Sequence, residues 1–346
     1  MHDISETKQV KVLISVLNWN TCKATLTCVH GLLRQALALH TLCEILVSDN
    51  GSEQDDYMHL RDALPSGVML QRNEENLGFA GGHNLALKAA IEKGMDFVWL
   101  VNSDAQLHES SILSNILASM KMHERCGAMS PMLADKVNGV YFTGGQHEWI
   151  ARKSTWTALE KSKILQDISP KNQWVSGAAI LLRISALQEV GFLNDRFFAY
   201  YEDNDLCARL SAANWTNRVA YDAVVEHPLP RKDSERPSYY FYLMQRNGLV
   251  FWSINTPVAY RRLLWLRLLD QAFFDCNKLY RTGFKAHGDA SLLGIYDFLR
   301  DQLGAPKLSR RPPFIMVLIQ KILSLKQRHA LTEHAEEMRV AIAKRA

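Results

Sequence analysis

The first third of the chain alternates short apolar runs with stretches of helical periodicity. Apolar runs at 11–17, 44–48, 68–71 and 97–101 predict strands, and helical periodicity at 22–39, 85–93 and 110–124 predicts helices. The run at 97–101 has no polar alternation, which is typical of a parallel strand covered on both faces. This order of elements predicts an α/β fold with parallel strands.

Polar clusters follow these strands. They are Asn18-Trp19-Asn20, Asp49-Asn50-Gly51-Ser52, a glycine-rich stretch over 76–84, and Asn102-Ser103-Asp104. Because open parallel sheets bind ligands beyond the carboxyl ends of their strands, we expect a nucleotide site where the four clusters meet. Two structural alternatives stay open: Asp104 as the N-cap of the next helix, and the Asp49 segment as a simple turn.

The glycine-rich stretch contains Gly78, Gly81 and Gly82 and precedes a helix predicted from about residue 85. Bare backbone N–H groups at the start of a helix can bind a diphosphate, helped by the positive end of the helix dipole. A flexible loop would have the same composition. The first strand lacks the G-x-G-x-x-G turn that a dinucleotide-binding domain places there.

The second half begins with irregular or hairpin structure over 141–157 and a predicted strand over 174–183. Small residues at Gly177 and Ala178 permit close approach of a ligand, or tight packing. A short helix over 184–190 then ends at Gly191.

Acidic residues open a predicted helix over 202–213, directly after a run of aromatic residues. We expect Asp205 to pair with Arg209, four positions later, and to be structural. Asp203 lies beside the carboxylate of Glu202 and aromatic side chains, and we expect it to accept a proton.

Two strands are predicted after this helix, at 218–221 and 224–227, and the second ends in a histidine, His227. At the same sheet edge as Asp104, it would complete a site of oxygen and imidazole ligands. Such a site suits a divalent cation, Mg or Mn.

Composition limits the class of protein. The 346 residues carry a net charge of +4, which does not indicate a nucleic-acid binder. The six cysteines form no C-x-x-C pair or metal-ligand spacing, which fits a reducing cytoplasm. The start of the chain is polar and lacks the order of a signal peptide, and no apolar run approaches the ~20 residues of a membrane span. We therefore expect a cytoplasmic protein that is not integral to the membrane.

Helical patterns with basic residues occupy the chain from 237 onward. They cover 238–252, 257–283, 290–302, 314–327 and 333–344. Such helices can lie in a membrane interface, or can pack on each other or on a second subunit as a homodimer. Packing is slightly favoured, because amphipathic helices more often belong to a core. We predict a catalytic domain over 1–236, with a nucleotide-binding half at about 10–130 and an acceptor half at about 131–236, and a helical extension over 237–346.

Taken together, these motifs resemble bacterial family 2 glycosyltransferases with the GT-A fold, most closely their rhamnosyltransferase-like branch. The resemblance covers about residues 10–228 and implies an α/β fold with a Rossmann-like mixed sheet, followed by a C-terminal helical extension. It rests on the four polar clusters above, on Ser176-Gly177-Ala178, and on Gly191-Phe192 through Tyr201-Glu202-Asp203-Asn204-Asp205-Leu206-Cys207-Ala208-Arg209.

The resemblance implies a role for each motif. Asp49 would contact the base or ribose of the donor, Asp104 and His227 would hold the metal, and Asp203 would be the catalytic base. The remaining donor-binding residues would be Asn18, Asn76, Gly78, Phe79, Gly81, Gly82, Asn84, Asn102 and Ser103. The acceptor sugar would lie near Gly177, Ala178, Tyr200 and Glu202. Asn102 stands where the family's D-x-D motif has its first acid, which leaves that end of the metal site less charged.

The implied function is transfer of a sugar, with inversion, from a nucleotide-sugar donor to a glycan hydroxyl in cell-surface polysaccharide synthesis. The branch points to dTDP-rhamnose as donor and to a lipid-linked acceptor. A UDP-hexose or UDP-galactofuranose donor is the alternative.

Two other classes of protein are disfavoured. A nucleotidyltransferase would need a glycine- and lysine- or arginine-rich loop after the first strand, and this chain has Asn18-Trp19-Asn20 there. An inactive glycan-binding or scaffold protein would not need Asp104, Asp203 and His227 together.

Overall fold

The computed structural model describes residues 9–38, 42–229, 232 and 235–333. These residues form two compact units. The first, which we call the sheet unit, comprises the described residues up to 198 and residues 202–229. The second, the helical unit, comprises residues 199–201 and the described residues from 230 onward.

The strands of the sheet unit belong to two sheets. They are β1 (Lys11–Asn18), β2 (Leu42–Asn50), β3 (Met69–Asn73), β4 (Phe97–Asn102), β5 (Cys126–Asp135), β6 (Gly139–Phe142), β7 (Gly145–Glu148), β8 (Lys153–Trp156), β9 (Gln173–Trp174), β10 (Ala179–Arg183) and β11 (Thr216–Glu226). The larger sheet has the order β11-β5-β10-β4-β1-β2-β3, with β6 added beside β5. The smaller has the order β8-β7-β9.

Strand directions explain where the site lies. β1 runs parallel to β2 and β4, and β2 runs parallel to β3. β10 is antiparallel to both β4 and β5, whereas β11 is parallel to β5. The carboxyl ends of β1, β2, β3, β4 and β11 therefore share one edge of the sheet, together with the start of β10. This arrangement confirms the predicted mixed α/β sheet.

Helices cover this sheet. They are α1 (Cys22–Ala38), α2 (Gln54–Ala63), α3 (Gly78–Glu92), α4 (Ile112–Met122), α5 (Leu159–Ile168), α6 (Ile184–Val190) and α7 (Glu202–Ala212). The middle of the sheet is fully enclosed, with Val12, Ile14 and Trp99 having no exposed surface. Burial on both faces is why β1 and β4 are almost continuously apolar.

Several elements differ from the sequence prediction. α3 begins at Gly78 and not at residue 85, so the glycine-rich stretch is the first part of a helix and not a loop. The predicted strand 174–183 is two strands, β9 and β10, and the strands predicted at 218–221 and 224–227 are one irregular strand, β11. The helix predicted over 257–283 begins at Leu264. The one predicted over 333–344 lies outside the described residues except for its first position.

The helical unit contains α8 (Ser238–Asn255), α9 (Leu264–Arg281), α10 (Lys285–Leu299) and α11 (Phe314–Lys326). α10 packs closely on α8, because a Cβ added at Gly294 would lie 2.6 Å from the Tyr242 carbonyl oxygen. A buried polar network reinforces this pair: the Tyr242 hydroxyl donates to Asp297 Oδ2 (2.6 Å), which also pairs with Arg310 (2.5 Å). No described helix has the length and apolar character needed to cross a membrane.

Candidate active site

The ends of β1 and β2 are joined by a buried network around Asn18. Its side-chain nitrogen donates towards Asp49 Oδ2 (2.9 Å), Asp56 Oδ2 (2.9 Å) and Ser52 Oγ (3.1 Å). Asp49 has no exposed surface, and Arg72 Nε lies 3.6 Å from its other oxygen. Asn18 and Asp49 thus fix the geometry of this edge. The predicted contact of Asp49 with a base or ribose stays a prediction.

Asn50, the last residue of β2, organises the start of α3. Its Oδ1 accepts from the amide of Leu77 (3.2 Å), and its Nδ2 donates to Asn76 Oδ1 (3.0 Å) and to the Gly78 carbonyl (3.1 Å). Asn76 Oδ1 in turn accepts from the amide of Gly78 (2.8 Å). The chain therefore uses the first amides of α3 internally. The sequence analysis quoted Asn50 within its motif but gave it no role.

Gly78 can only be glycine here. Its φ is +73°, and an added Cβ would lie 2.4 Å from the carbonyl oxygen of Phe198. The same carbonyl accepts from the amide of Ala80 (3.1 Å). Phe198 itself has a φ of +66°, which is rare for a residue with a side chain. The start of α3 and the segment before Asp203 are thus in direct contact.

The rest of the glycine-rich stretch packs inside the unit. A Cβ at Gly82 would lie 2.5 Å from Leu17, and one at Gly81 would lie 2.9 Å from Leu77. Asn84 donates to the Leu193 carbonyl (2.8 Å) and accepts from the Leu193 amide (3.1 Å). These contacts give Gly82 and Asn84 packing roles, and their contact with a donor stays a prediction.

At the end of β4 the structure brings together the predicted metal ligands. His227 Nε2 lies 3.5 Å from Asp104 Oδ1 and 3.1 Å from Asn102 Nδ2. On its other side, His227 Nδ1 lies 2.9 Å from the hydroxyl of Tyr141, a residue that the sequence analysis missed. The neighbouring Ser103 lies at hydrogen-bond distance (3.2 Å) from Thr21. The carboxylate of Asp104 is 46% exposed, so it can reach a ligand.

These residues fit a divalent cation as a partial site. With the Asn102 amide nitrogen as donor, Nε2 accepts and the protonated Nδ1 donates to Tyr141. Nε2 is then unprotonated, and a metal would bind its lone pair in place of the Asn102 hydrogen bond. Burial lowers the pKa of His227, although Asp104 opposes this, which favours the neutral ring. Nowhere in the described ranges do three or more His, Cys, Asp or Glu side chains gather as a complete metal site. A cation would need further oxygen ligands, such as those of a diphosphate.

Asp203 lies at the first turn of α7, across from β10. Its Oδ2 accepts from the amide of Gly177 (2.9 Å), and its Oδ1 accepts from the amide (2.7 Å) and side chain (3.0 Å) of Asn204. These bonds use three of about four acceptor positions of a carboxylate. A Cβ added at Gly177 would lie 3.5 Å from the ring of Phe79 and 3.4 Å from Cβ of Asp203, so these three residues are close neighbours.

The other two acids of this segment are buried. Burial and the charge of Asp203 raise the pKa of Glu202 well above its usual range, and its Oε2 has no hydrogen-bond partner. Both effects favour the neutral form of the Glu202 carboxyl. Asp205 pairs with Arg209 Nε at 2.8 Å, which confirms its predicted structural role.

The predicted base and the predicted metal ligands are connected through two adjacent residues. Gly177 binds Asp203, and the carbonyl of Ala178 accepts from the amide of Asn102 (2.9 Å), whose side chain contacts His227. Tyr200, predicted near the acceptor sugar, belongs to the helical unit, where its ring meets Tyr240 edge-on at 5.2 Å.

A cleft of about 550 Å³ opens beside Asp104. Besides Asp104, its lining includes the start of α1, with Thr21, Lys23 and Thr27, and Gln106 after β4. This volume lies within the range of pockets that bind small molecules. The sequence analysis did not single out Lys23 or Gln106. The sequence feature that could have indicated them is that the helix predicted over 22–39 directly follows the first polar cluster.

Solved structures share this fold. One is a mannosyltransferase from Pyrobaculum calidifontis in complex with GDP-Man and Mn2+. The alignment includes 97% of this chain and 87% of the mannosyltransferase, at 14% identity and a TM-score of 0.54. S. aureus TarS in complex with UDP-GlcNAc covers 84% of this chain with 81% of its own, at 18% identity and a TM-score of 0.55. Both resemble the chain in its mixed α/β architecture, which is of the GT-A type.

Curated relatives are glycosyltransferases. An N-acetylglucosaminyl-diphospho-decaprenol L-rhamnosyltransferase of Mycobacterium tuberculosis is 26% identical over 266 residues, 67% of this chain and 86% of that protein. Galactofuranosyltransferase GlfT1 of the same species is 25% identical over 187 residues, 53% of this chain and 60% of that protein. The sequence model of glycosyl transferase family 2 matches residues 12–191. The chain therefore belongs to glycosyl transferase family 2 and is a glycosyltransferase.

Proposed function

We propose that this enzyme transfers L-rhamnose from dTDP-rhamnose, with inversion, to a hydroxyl of a lipid-linked glycan during cell-surface polysaccharide synthesis. One finding supports the donor and acceptor, and a second supports the side of the membrane. The relative from Mycobacterium tuberculosis that covers 67% of this chain is a rhamnosyltransferase, and its name specifies a diphospho-decaprenol acceptor. The six cysteines of the chain are all free, which agrees with a reaction on the cytoplasmic side.

The observation that carries the mechanism is the position of Asp203. Its carboxylate is partly exposed, is held by three N–H groups, and retains one acceptor position beside Gly177 and Phe79. An acceptor hydroxyl placed there would give its proton to Asp203 while its oxygen attacks the anomeric carbon. The bond from that carbon to the diphosphate breaks, and the nucleoside diphosphate leaves. One base is enough for a single displacement with inversion.

Charge on the departing diphosphate must be stabilised at the other side of the site. Asp104 and His227 would hold a divalent cation, Mg or Mn, which supplies positive charge to the diphosphate when bound. Tyr141 fixes the ring of His227 through Nδ1, and Asn102 contacts Nε2. Because Asn102 is neutral, Asp104 is the one carboxylate of the triplet 102–104 that can share this role.

A panel of nucleotide sugars tests the proposed donor. We expect dTDP-rhamnose to raise the melting temperature and to support turnover with a polyprenyl-diphosphate-linked glycan acceptor. Hydrophobic contact with the methyl group of rhamnose contributes only ~1 kcal/mol, so discrimination against other dTDP-hexoses should be modest. Stabilisation by a uridine or guanosine donor alone would refute the rhamnose assignment.

UDP-galactofuranose is the second candidate donor. It is favoured by the likeness to galactofuranosyltransferase GlfT1, which is 25% identical to this chain over 187 residues. The same panel separates the two, because a galactofuranosyltransferase should be stabilised by the uridine nucleotide and not by the thymidine nucleotide.

A further inference from the structure

The helical unit exposes an apolar surface on α11 that nothing described so far accounts for. α11 attaches to the unit through Met316 and Gln320, which are buried, and Gln320 donates to Asn277 Oδ1 of α9 (2.6 Å). Directly after its last residue, Gln327 donates to Asp270 Oδ1 (3.0 Å). These residues recur at intervals of four and seven, so they mark the side of α11 that faces α9.

The opposite side of α11 is apolar and exposed. At about 100° per residue, Phe314, Leu318, Lys321, Ile322 and Leu325 lie roughly half a turn away from Met316 and Gln320. We call these five residues the outer face of α11. Phe314 is 81% exposed and Leu325 is 73% exposed. A helix that is apolar on the side away from its own unit normally has a second apolar partner.

The segment that contains this face carries charge of one sign. Residues 302–332 contain no Asp or Glu, and they contain Lys307, Arg310, Arg311, Lys321, Lys326 and Arg328. Arg310 pairs with Asp297 inside the unit, and the other five are exposed. Exposed leucine, isoleucine and phenylalanine side chains bordered by lysine and arginine are the combination that binds the interface of an anionic bilayer.

The first turn of α9 also exposes apolar side chains. Gln320 meets Asn277 and Gln327 meets Asp270, so α11 runs antiparallel to α9, and the first turn of α9 lies towards the C-terminal end of α11. Trp265 and Leu266, in that turn, are exposed. Tryptophan is favoured at membrane interfaces because its ring is apolar with one polar N–H group.

We propose that the outer face of α11 binds the surface of an anionic lipid bilayer, with α11 lying in the plane of the interface. The helix has 13 residues and is thus about 20 Å long, too short to span the ~30 Å hydrocarbon core. A second copy of this chain is the less suitable occupant. A two-fold dimer would place two outer faces and their basic borders against each other, and like charges in contact oppose association.

This proposal does not depend on the identity of the donor sugar, and its test needs no sugar. The full chain is mixed with vesicles of phosphatidylcholine, or of phosphatidylcholine with phosphatidylglycerol, and is separated by flotation. We expect at least about tenfold more bound protein with the anionic vesicles and weaker binding at higher salt. Failure of the full chain to bind the anionic vesicles would overturn the proposal.

Two variants of the outer face test its two components. Leu318→Gln/Ile322→Gln/Leu325→Gln removes apolar contacts and should lower vesicle binding more than about tenfold, since burial of apolar side chains drives binding to the interface. Lys321→Glu/Lys326→Glu should remove the preference for anionic lipid. The matched control is Met122→Gln/Ile164→Gln/Ile168→Gln, which changes three exposed apolar residues of the sheet unit and should bind vesicles as the unchanged chain does.

Circular dichroism and light scattering complete the test. All variants should keep the helical signal and the melting temperature of the unchanged chain, because the substituted side chains are exposed. If the triple α11 variant binds vesicles as well as the unchanged chain, the proposal is wrong. If the unchanged chain is a dimer that does not bind vesicles and the triple variant is a monomer, the outer face is a dimer interface instead.

Discussion

The backbone amide of Gly177 donates a hydrogen bond of 2.9 Å to Oδ2 of Asp203, and this bond connects the start of β10 to the start of α7. It holds the carboxylate at the sheet edge where β4 delivers Asp104. Both oxygens of Asp203 accept from N–H groups, which fixes the orientation of the carboxylate.

Asp203→Asn should lower kcat by about 10²–10⁴-fold, because the amide cannot take the acceptor proton. Binding of the nucleoside diphosphate should change little, since the base acts on the acceptor. The new amide nitrogen will face an N–H donor, so the free energy of unfolding should also fall by about 1–3 kcal/mol. Turnover assays, calorimetry with the nucleotide and urea unfolding measure the three effects.

Asp205→Asn is the matched control for that substitution. Asp205 lies two positions later in the same helix and pairs with Arg209, so its loss should reduce stability. Its kcat should remain within about tenfold of the unchanged enzyme, because Asp205 is buried away from solvent. Turnover by Asp203→Asn as fast as by Asp205→Asn would exclude Asp203 as the base.

Gly78→Ala should destabilise the protein by about 2–5 kcal/mol. A positive φ costs a residue with a Cβ about 1–2 kcal/mol, and the collision with the Phe198 carbonyl oxygen adds about 1–3 kcal/mol. Gly94→Ala is the control, since Gly94 has a φ of +63° and nothing within 4 Å of an added Cβ. Equal losses in urea unfolding would show that the contact with Phe198 adds nothing.

How far the sequence predicted the site depends on which residue is considered. Asp104 and His227 could be placed at one edge because the carboxyl ends of parallel strands converge, and the structure confirms that they are neighbours. Tyr141 could not be found, because it lies in a short strand, β6, whose pairing with β5 depends on tertiary contacts. No local pattern connects Tyr141 with a histidine 86 positions later.

The glycine-rich stretch shows where local propensity misleads. Glycine disfavours helix interiors, so the sequence predicted a loop over residues 78–84. In the structure the helix begins at Gly78, and within it the close packing of Gly82 on Leu17 leaves no room for a side chain. Here glycine is required by the contact between α3 and β1, which outweighs its low helix propensity.

Glu202→Gln should make stability less dependent on pH. Burial and Asp203 raise the pKa of Glu202, so its contribution to stability is complete below the unfolded pKa of ~4.3 and is lost as pH rises through the folded pKa. Glutamine is neutral at every pH, so the variant does not lose stability at this position as pH rises. The difference in unfolding free energy, variant minus unchanged chain, should therefore increase from about pH 4 upward, by at most ~1.4 kcal/mol per pH unit.

Urea unfolding of both proteins between about pH 4 and pH 8 measures this difference. Other buried groups do not obscure it: burial lowers the pKa of His147 to about 4 and that of His83 to about 3, and both histidines are present in both proteins. A difference that is constant across this range would mean that Glu202 is already ionised in the folded protein.

Tyr141→Phe should weaken the binding of Mn²⁺ in the presence of a nucleoside diphosphate by about 10–100-fold, because the hydroxyl fixes the ring of the proposed ligand His227 through a 2.9 Å contact. His227→Ala should weaken binding further, and Asp104→Ala should do the same. Calorimetric titration of the metal measures affinity without turnover.

Tyr57→Phe is the control, because Tyr57 contacts Arg72 at the far side of β2 and its hydroxyl should not affect the metal. Equal Mn²⁺ affinity for Tyr141→Phe and Tyr57→Phe would exclude a positioning role for Tyr141. Full activity in excess chelator would refute the metal requirement itself.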